Sequence, residues 1–215
     1  MKRRLVIFIV LVFVFGCGPY IWFKVPQPEG ARNLSEFSEN LMGKYKSKSD
    51  TSIIRIESDQ IIREYRENMM MTKLEFREEI GDTISEDTSF TFADNWDITI
   101  KSKGDSIHVF SKKDEELFKI SDKHLLRLYK GYYFLNFKDT NDYWKVKVLK
   151  LKGDTLEYDY ILTEDDLENI KNITLVEVIT DTTEENKAYY LKPTKRELRK
   201  ILKKRSQGEK YFKIK

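Results

Sequence analysis

A mainly β fold is predicted, an antiparallel meander forming a barrel-like or strongly curved sheet, with a short acidic helix and a basic C-terminal helix. Three observations carry it. Pro28 and Pro193 bracket 164 residues without a proline, in a chain that is 13% aromatic; a hydrogen-bonded sheet excludes proline and favours aromatic side chains. Apolar residues alternate with polar ones: Ile98 and Ile100; Trp144, Val146 and Val148; Leu156, Tyr158, Tyr160 and Leu162. Such period-two runs place one face inward and one in water. Turn dipeptides separate the runs, at Ser58-Asp59, Gly104-Asp105, Ser121-Asp122, Lys130-Gly131 and Gly153-Asp154, spacing that suits roughly ten strands.

The chain begins with Lys2-Arg3-Arg4 and an unbroken apolar run from Leu5 to Phe15. Eleven apolar residues suit the core of a signal peptide and are short for a spanning helix. An uncleaved span from Leu5 to Phe23 is the rival reading, with "GCGP" near its middle, where Gly and Pro weaken a lone helix. Both readings keep the basic end in the cytoplasm and the rest of the chain outside it. Residues 24–32, "KVPQPEGAR", are expected as an extended spacer. The expected division is therefore a signal peptide over 1–16, a lipidated N-terminus and linker over 17–32, and a β-rich extracytoplasmic domain over 33–215.

Within that domain a short helix is expected around Leu34 to Met42, followed by the sheet. Thr163 with Asp166 opens the acidic helix "TEDDLENI" with a capping box whose N3 residue is Asp. Thr194 with Glu197, after Pro193, opens "TKRELRKILKKR", whose Leu198, Ile201 and Leu202 form one apolar stripe. Residues 211–214, "YFKI", read as a last strand.

Charge and composition exclude several functions. The net charge is +3, equal to the contribution of Lys2, Arg3 and Arg4, so the rest of the chain is neutral and nucleic acid is not an expected partner. Cys17 is the only cysteine, which leaves no disulfide framework, zinc ribbon or cysteine nucleophile. His108 and His124 are unclustered, the carboxylate pairs Asp165-Asp166 and Glu184-Glu185 read as solvated charge, and no phosphate-cradling glycine loop or nucleophile elbow is present. No catalytic residue, metal or cofactor is expected.

"VFGC" resembles the lipobox of bacterial lipoproteins, with Val14 at −3, Gly16 at −1 and Cys17 as acceptor; Phe15 departs from the usual −2 residue. The resemblance implies a lipidated Cys17 and attachment to an envelope membrane, the outer one in particular. "LMGKYKSKSDTSIIRIESD", a meander, then a helix and a strand, resembles the lipocalin and calycin superfamily. Gly43-Lys44-Tyr45 stands where that family has Gly-x-Trp, and the acidic helix is an addition. That resemblance implies a small apolar ligand in the barrel mouth. The expected role is a non-catalytic binding or accessory module, or an assembly partner of another envelope protein.

Other segments carry two readings each. Tyr129, Tyr132, Tyr133, Phe134 and Phe137 either line a pocket or cover both faces of one hairpin. Met69 to Met71 are an adaptable surface or strand core. Asp-[Ser/Thr]-apolar triplets at 82–84, 105–107 and 154–156, and the related Asp181-Thr182-Thr183, resemble the acceptor of a bacterial O-glycosylation system, and equally read as a turn followed by a strand. Residues 191–215 carry a net charge of +9; the basic helix either docks on the acidic body or faces anionic lipid.

Overall fold

The computed structural model describes residues 21–81, 84–180 and 187–214. The fold is mainly β, one strongly curved, unclosed sheet with three helices. The strands are β1 (Ile21–Phe23), β2 (Asn33–Leu34), β3 (Gly43–Ser47), β4 (Ile53–Ile56), β5 (Gln60–Thr72), β6 (Thr88–Phe92), β7 (Trp96–Lys103), β8 (Ser106–Lys119), β9 (His124–Tyr129), β10 (Tyr132–Lys138), β11 (Trp144–Lys152), β12 (Thr155–Tyr160), β13 (Val176–Thr180), β14 (Lys187–Leu191) and β15 (Glu209–Ile214). The helices are α1 (Lys73–Ile80), α2 (Glu164–Ile170) and α3 (Lys195–Lys204).

All five turn dipeptides fall in the connections between consecutive strands, as expected. Lys130 and Gly131 both have positive φ, 52° and 78°, between the paired Tyr129 and Tyr132. Two left-handed residues in a two-residue loop match the right-handed twist of the flanking strands.

The strand order is β13-β14-β1-β11-β12-β15-β3-β4-β5-β8-β7-β6, with β10, β9 and β2 branching from β11. Two features depart from a plain meander. β15 inserts between β12 and β3, bringing the C-terminus into the middle of the sheet. β1 pairs parallel with β14 and antiparallel with Trp144 of β11.

Two cores lie on the two faces. Side chains from β3, β4, β5, β8, β9, β10, β11, β12 and β15 meet in one cluster that includes Tyr45, Ile54, Phe118, Leu135, Leu149 and Tyr211. Strands so far apart in the order share one cluster only if that face is concave. The other face buries Phe23, Phe134, Val146 and Val148 under α2 and α3. A third, small core of Phe76, Ile100 and Ile107 sits under α1, where β5 and β8 extend into an arm with β6 and β7.

Three expectations are corrected. Around residues 34–42 no helix forms: Leu34 ends β2 and residues 35–42 make bends and turns, in which Leu41 N donates to Ser38 O and Met42 N to Glu39 O, with Phe37 and Leu41 buried. The eight residues of α1 were not expected, because they present a single buried residue, Phe76, and no helical stripe. Residues 21–32 are part of the fold rather than of a spacer. Phe23 is buried in β1, Gln27 N donates to Asn136 Oδ1 (2.6 Å), and a guanidinium nitrogen of Arg127 donates to the carbonyls of Pro26 and Pro28 (2.5 and 2.8 Å). Proline keeps the chain extended, and an extended chain docks as readily as it spaces.

Candidate functional site: a basic cleft beneath the C-terminal helix

Register builds this site. Tyr132, Lys150, Glu157 and Lys210 lie in one row across β10, β11, β12 and β15. Lys152, Thr155, Phe212 and Lys46 form the next row. Both rows share the convex face with Val146 and Val148, since even positions of β11 point the same way. The core therefore ends at Val148, and two lysines continue its face.

α3 covers one side of these rows. Leu198, Ile201 and Leu202 are buried against the convex core. Its start is fixed by Thr194, whose hydroxyl accepts from Glu197 N while Glu197 accepts from Thr194 N. Its far end is held by Asp166, which is buried, caps α2 through Thr163 N (2.9 Å) and also accepts from Ser206 N (2.8 Å). That second task explains an aspartate at the N3 position of α2. The chain then passes close over β12 at Gly208, where a Cβ would lie 2.5 Å from Asp159 Cβ and 2.9 Å from Tyr158 O.

Between helix and sheet a cleft of about 700 Å³ opens, lined by Tyr132, Lys150, Lys152, Lys203, Arg205 and Lys210 among others. A smaller hollow adjoins it, sharing Lys150 and Lys203 and adding Lys130 and Arg199. Among the described residues, Glu157 is the only carboxylate lining either. It is paired with the buried Arg205 guanidinium, and Gly208 N also donates to it (3.4 Å). Lys150 Nζ donates to Tyr132 OH (2.9 Å) and lies 4.3 Å from the ring centroid. Among the described residues, Lys130, Lys150, Lys152, Arg199, Lys203 and Lys210 have no ion pair. Anions are what such a set holds: several ammonium groups, the Arg199 guanidinium and the Thr155 hydroxyl. Among the described lining residues, the one carboxylate, Glu157, is committed to Arg205.

A second polar cluster lies on the concave side. A guanidinium nitrogen of Arg63 donates to Tyr211 OH (2.8 Å), Lys147 Nζ donates to Tyr158 OH (3.1 Å), and Tyr65 OH donates to Glu115 (3.3 Å). Burial pushes the Lys147 ammonium below the usual lysine range, with Arg63 acting in the same direction. The cluster reads as a buried polar network, in which Arg63 Nε is buried without a hydrogen-bond partner among the described residues.

The other candidates separate. Cys17 lies outside the described residues. Of the aromatic hairpin, Phe134 is buried in the convex core, Phe137 packs on Phe118 in the concave one, and only Tyr132 lines the cleft. His124 packs between Phe118 and Phe137, and His108 stacks on Phe110. Among the described residues no group of three or more His, Cys, Asp or Glu could hold a metal ion. Met69 and Met70 are exposed on β5, and Met71 packs in the arm. Asp105-Ser106 and Asp154-Thr155 each join a turn to the strand that follows, whereas residues 82–83 and 181–183 lie outside the described residues.

The two docking readings of α3 turn out to be compatible. Its apolar stripe docks, while its basic face stays free: Lys195, Arg196, Arg199, Lys200, Lys203 and Lys204 make no ion pair among the described residues. Lys150, Lys152, Arg205 and Lys210 were missed as site residues. A signal exists in "WKVKVLKLK", where the apolar parity switches from even to odd between Val148 and Leu149. The switch exposes Lys150 on a face that is apolar two residues earlier. No family model, curated protein or solved structure matches the chain.

Proposed function

We propose that the protein is a membrane-anchored, non-catalytic binding module of the bacterial cell envelope that takes an anionic ligand in the basic cleft. The observation that carries this reading is the row of unpaired ammonium groups around a carboxylate already neutralised by Arg205. The cleft's chemistry favours an anion over the small apolar ligand that the lipocalin resemblance implies, and the concave core is filled by the protein's own side chains. The anchor is Cys17. The structure adds an argument for a lipid over a spanning helix: Ile21 to Phe23 belong to the sheet, so Leu5 to Tyr20 offer sixteen residues, fewer than the roughly 20 a span needs.

The test is mass spectrometry of the full chain from native membranes, together with its melting in inorganic phosphate. An acylated Cys17 at the N-terminus and a salt-sensitive rise in Tm are expected. A chain beginning at Met1 with a free thiol overturns the anchor; an unchanged Tm overturns the anion site. A second reading, a docking partner for another envelope protein, draws on the exposed Met69, Met70, Leu74 and Phe92 of the arm.

A further inference from the structure

β1 sets the orientation of the sheet relative to whatever anchors the N-terminus. It pairs antiparallel with β11 at Phe23 and Trp144. Moving from Phe23 back toward Ile21 is therefore the same direction as moving along β11 from Trp144 toward Lys152. Lys150 and Lys152 lie six and eight residues beyond Trp144, about 20–26 Å at the rise of a strand. Neighbouring strands diverge by only about 20–25°, so β10, β12 and β15 keep this direction. The turns at Lys130-Gly131 and Gly153-Asp154 sit at that end of the sheet, and so does the Thr180–Lys187 end of the β13–β14 hairpin, because β14 runs parallel to β1.

The convex face is basic at the same end. Lys130, Lys150, Lys152, Lys203 and Lys210 gather there with the exposed Phe212, and Asp154 of the Gly153-Asp154 turn is the acidic residue at the tip of the β11–β12 hairpin. Only three residues lie between Cys17 and Ile21, four steps of chain with a reach of at most about 14 Å. A tether that short holds this end of the sheet close to the membrane surface and keeps the arm away from it.

We propose that the basic end of the convex face lies against the bilayer that holds the anchor, and that the cleft receives the phosphate headgroups of anionic lipids. This rests on the anchored, anion-binding reading above. The lysines would attract the phosphates, and Phe212 would contact the interface.

The test is hydrogen exchange on the full chain reconstituted into vesicles of phosphatidylcholine alone or of equal parts phosphatidylcholine and phosphatidylglycerol. Each lysine near an anionic leaflet is worth about five-fold in binding, so amides in residues 150–157 and 199–212 should exchange at least about five-fold more slowly in the anionic vesicles. High salt should restore the neutral-vesicle rate. Soluble glycerol phosphate, added to neutral vesicles at the same bulk phosphate concentration, should protect far less, because only a bilayer concentrates the headgroup at the tether. The combined variant Lys150→Glu, Lys152→Glu, Lys203→Glu should lose the lipid-dependent protection and keep the wild-type pattern in neutral vesicles.

Equal rates in the two vesicle types, or protection confined to the arm, overturn the bilayer contact. Retention of lipid-dependent protection by the variant overturns the assignment to the cleft. Equal protection by soluble glycerol phosphate also overturns the bilayer contact but leaves the anion site standing. Absence of protection from lipid and soluble phosphate alike removes both.

Discussion

Tyr158 and Tyr211 show how one residue type holds the concave core together and limits it in alkali. Both rings are buried, and both hydroxyls sit beside cations, Lys147 for Tyr158 and Arg63 for Tyr211. Burial pushes both phenols above the usual tyrosine range, and for Tyr211 the hydrogen bond to Glu209 acts the same way. A group whose folded pKa is raised contributes stability that is present below its unfolded value, about 10, and lost as pH rises above it. The urea midpoint should therefore fall between about pH 9 and about pH 11. Tyr158→Phe and Tyr211→Phe should each flatten that fall, as read from midpoints across this range. An unaltered slope in both variants would mean that other groups, such as Tyr45 or Tyr65, control the alkaline limit. At the same scale, Lys150 shows what alternation hides: it has the spacing of a wet-face residue, yet it extends an otherwise buried face into the cleft.

Among the elements, α3 has the most consequential placement. Its three apolar residues close the convex core, and β15, which follows it, is an interior strand between β12 and β3. Leu198 is fully buried, so Leu198→Ala should cost about 2–5 kcal/mol, the usual range for a buried leucine. The midpoint of urea unfolding checks this. Removal of residues 194–215 goes further, because it deletes an interior strand and leaves the edges of β12 and β3 unpaired. The basic face of the helix is not needed for docking: the ion pair that its end makes within the protein, Arg205 with Glu157, lies beyond the last turn. Charge balance between the C-terminal segment and the body is thus a property of composition, and hydrophobic burial holds the helix in place.

The whole molecule divides into a body with two substantial cores and an arm with one small core. β5 and β8 run through both, joined by thirteen cross-strand pairs from Gln60–Lys119 to Thr72–Ser106. The arm core rests on Phe76, Ile100 and Ile107. A core that small should open well below the free energy of global unfolding. Phe76→Ala should therefore speed amide exchange in residues 66–72 and 88–112 while β9 to β12 keep their protection. Uniform acceleration across the chain would show instead that arm and body unfold as one unit. If the basic end faces a bilayer, the arm is the part that reaches away from it, with Met69, Met70 and Phe92 exposed.

The sequence by itself determined the fold class, the turn positions, helices α2 and α3 and the last strand, because each is written in local periodicity or turn chemistry. Gly153-Asp154 and Lys130-Gly131 specify hairpins whatever surrounds them. Leu198, Ile201 and Leu202 specify a docked helix, though not the surface beneath it. The basic cleft was decided by tertiary structure alone. Tyr132, Lys150, Glu157 and Lys210 come from four strands, and only the register of those strands sets them in one row. Residues 21–32 teach the same lesson, since two prolines read as a spacer until Arg127 and Asn136, about a hundred residues away, supply hydrogen bonds to that backbone. Local pattern fixes which face of a strand is apolar; the order in which strands meet decides which charges become neighbours.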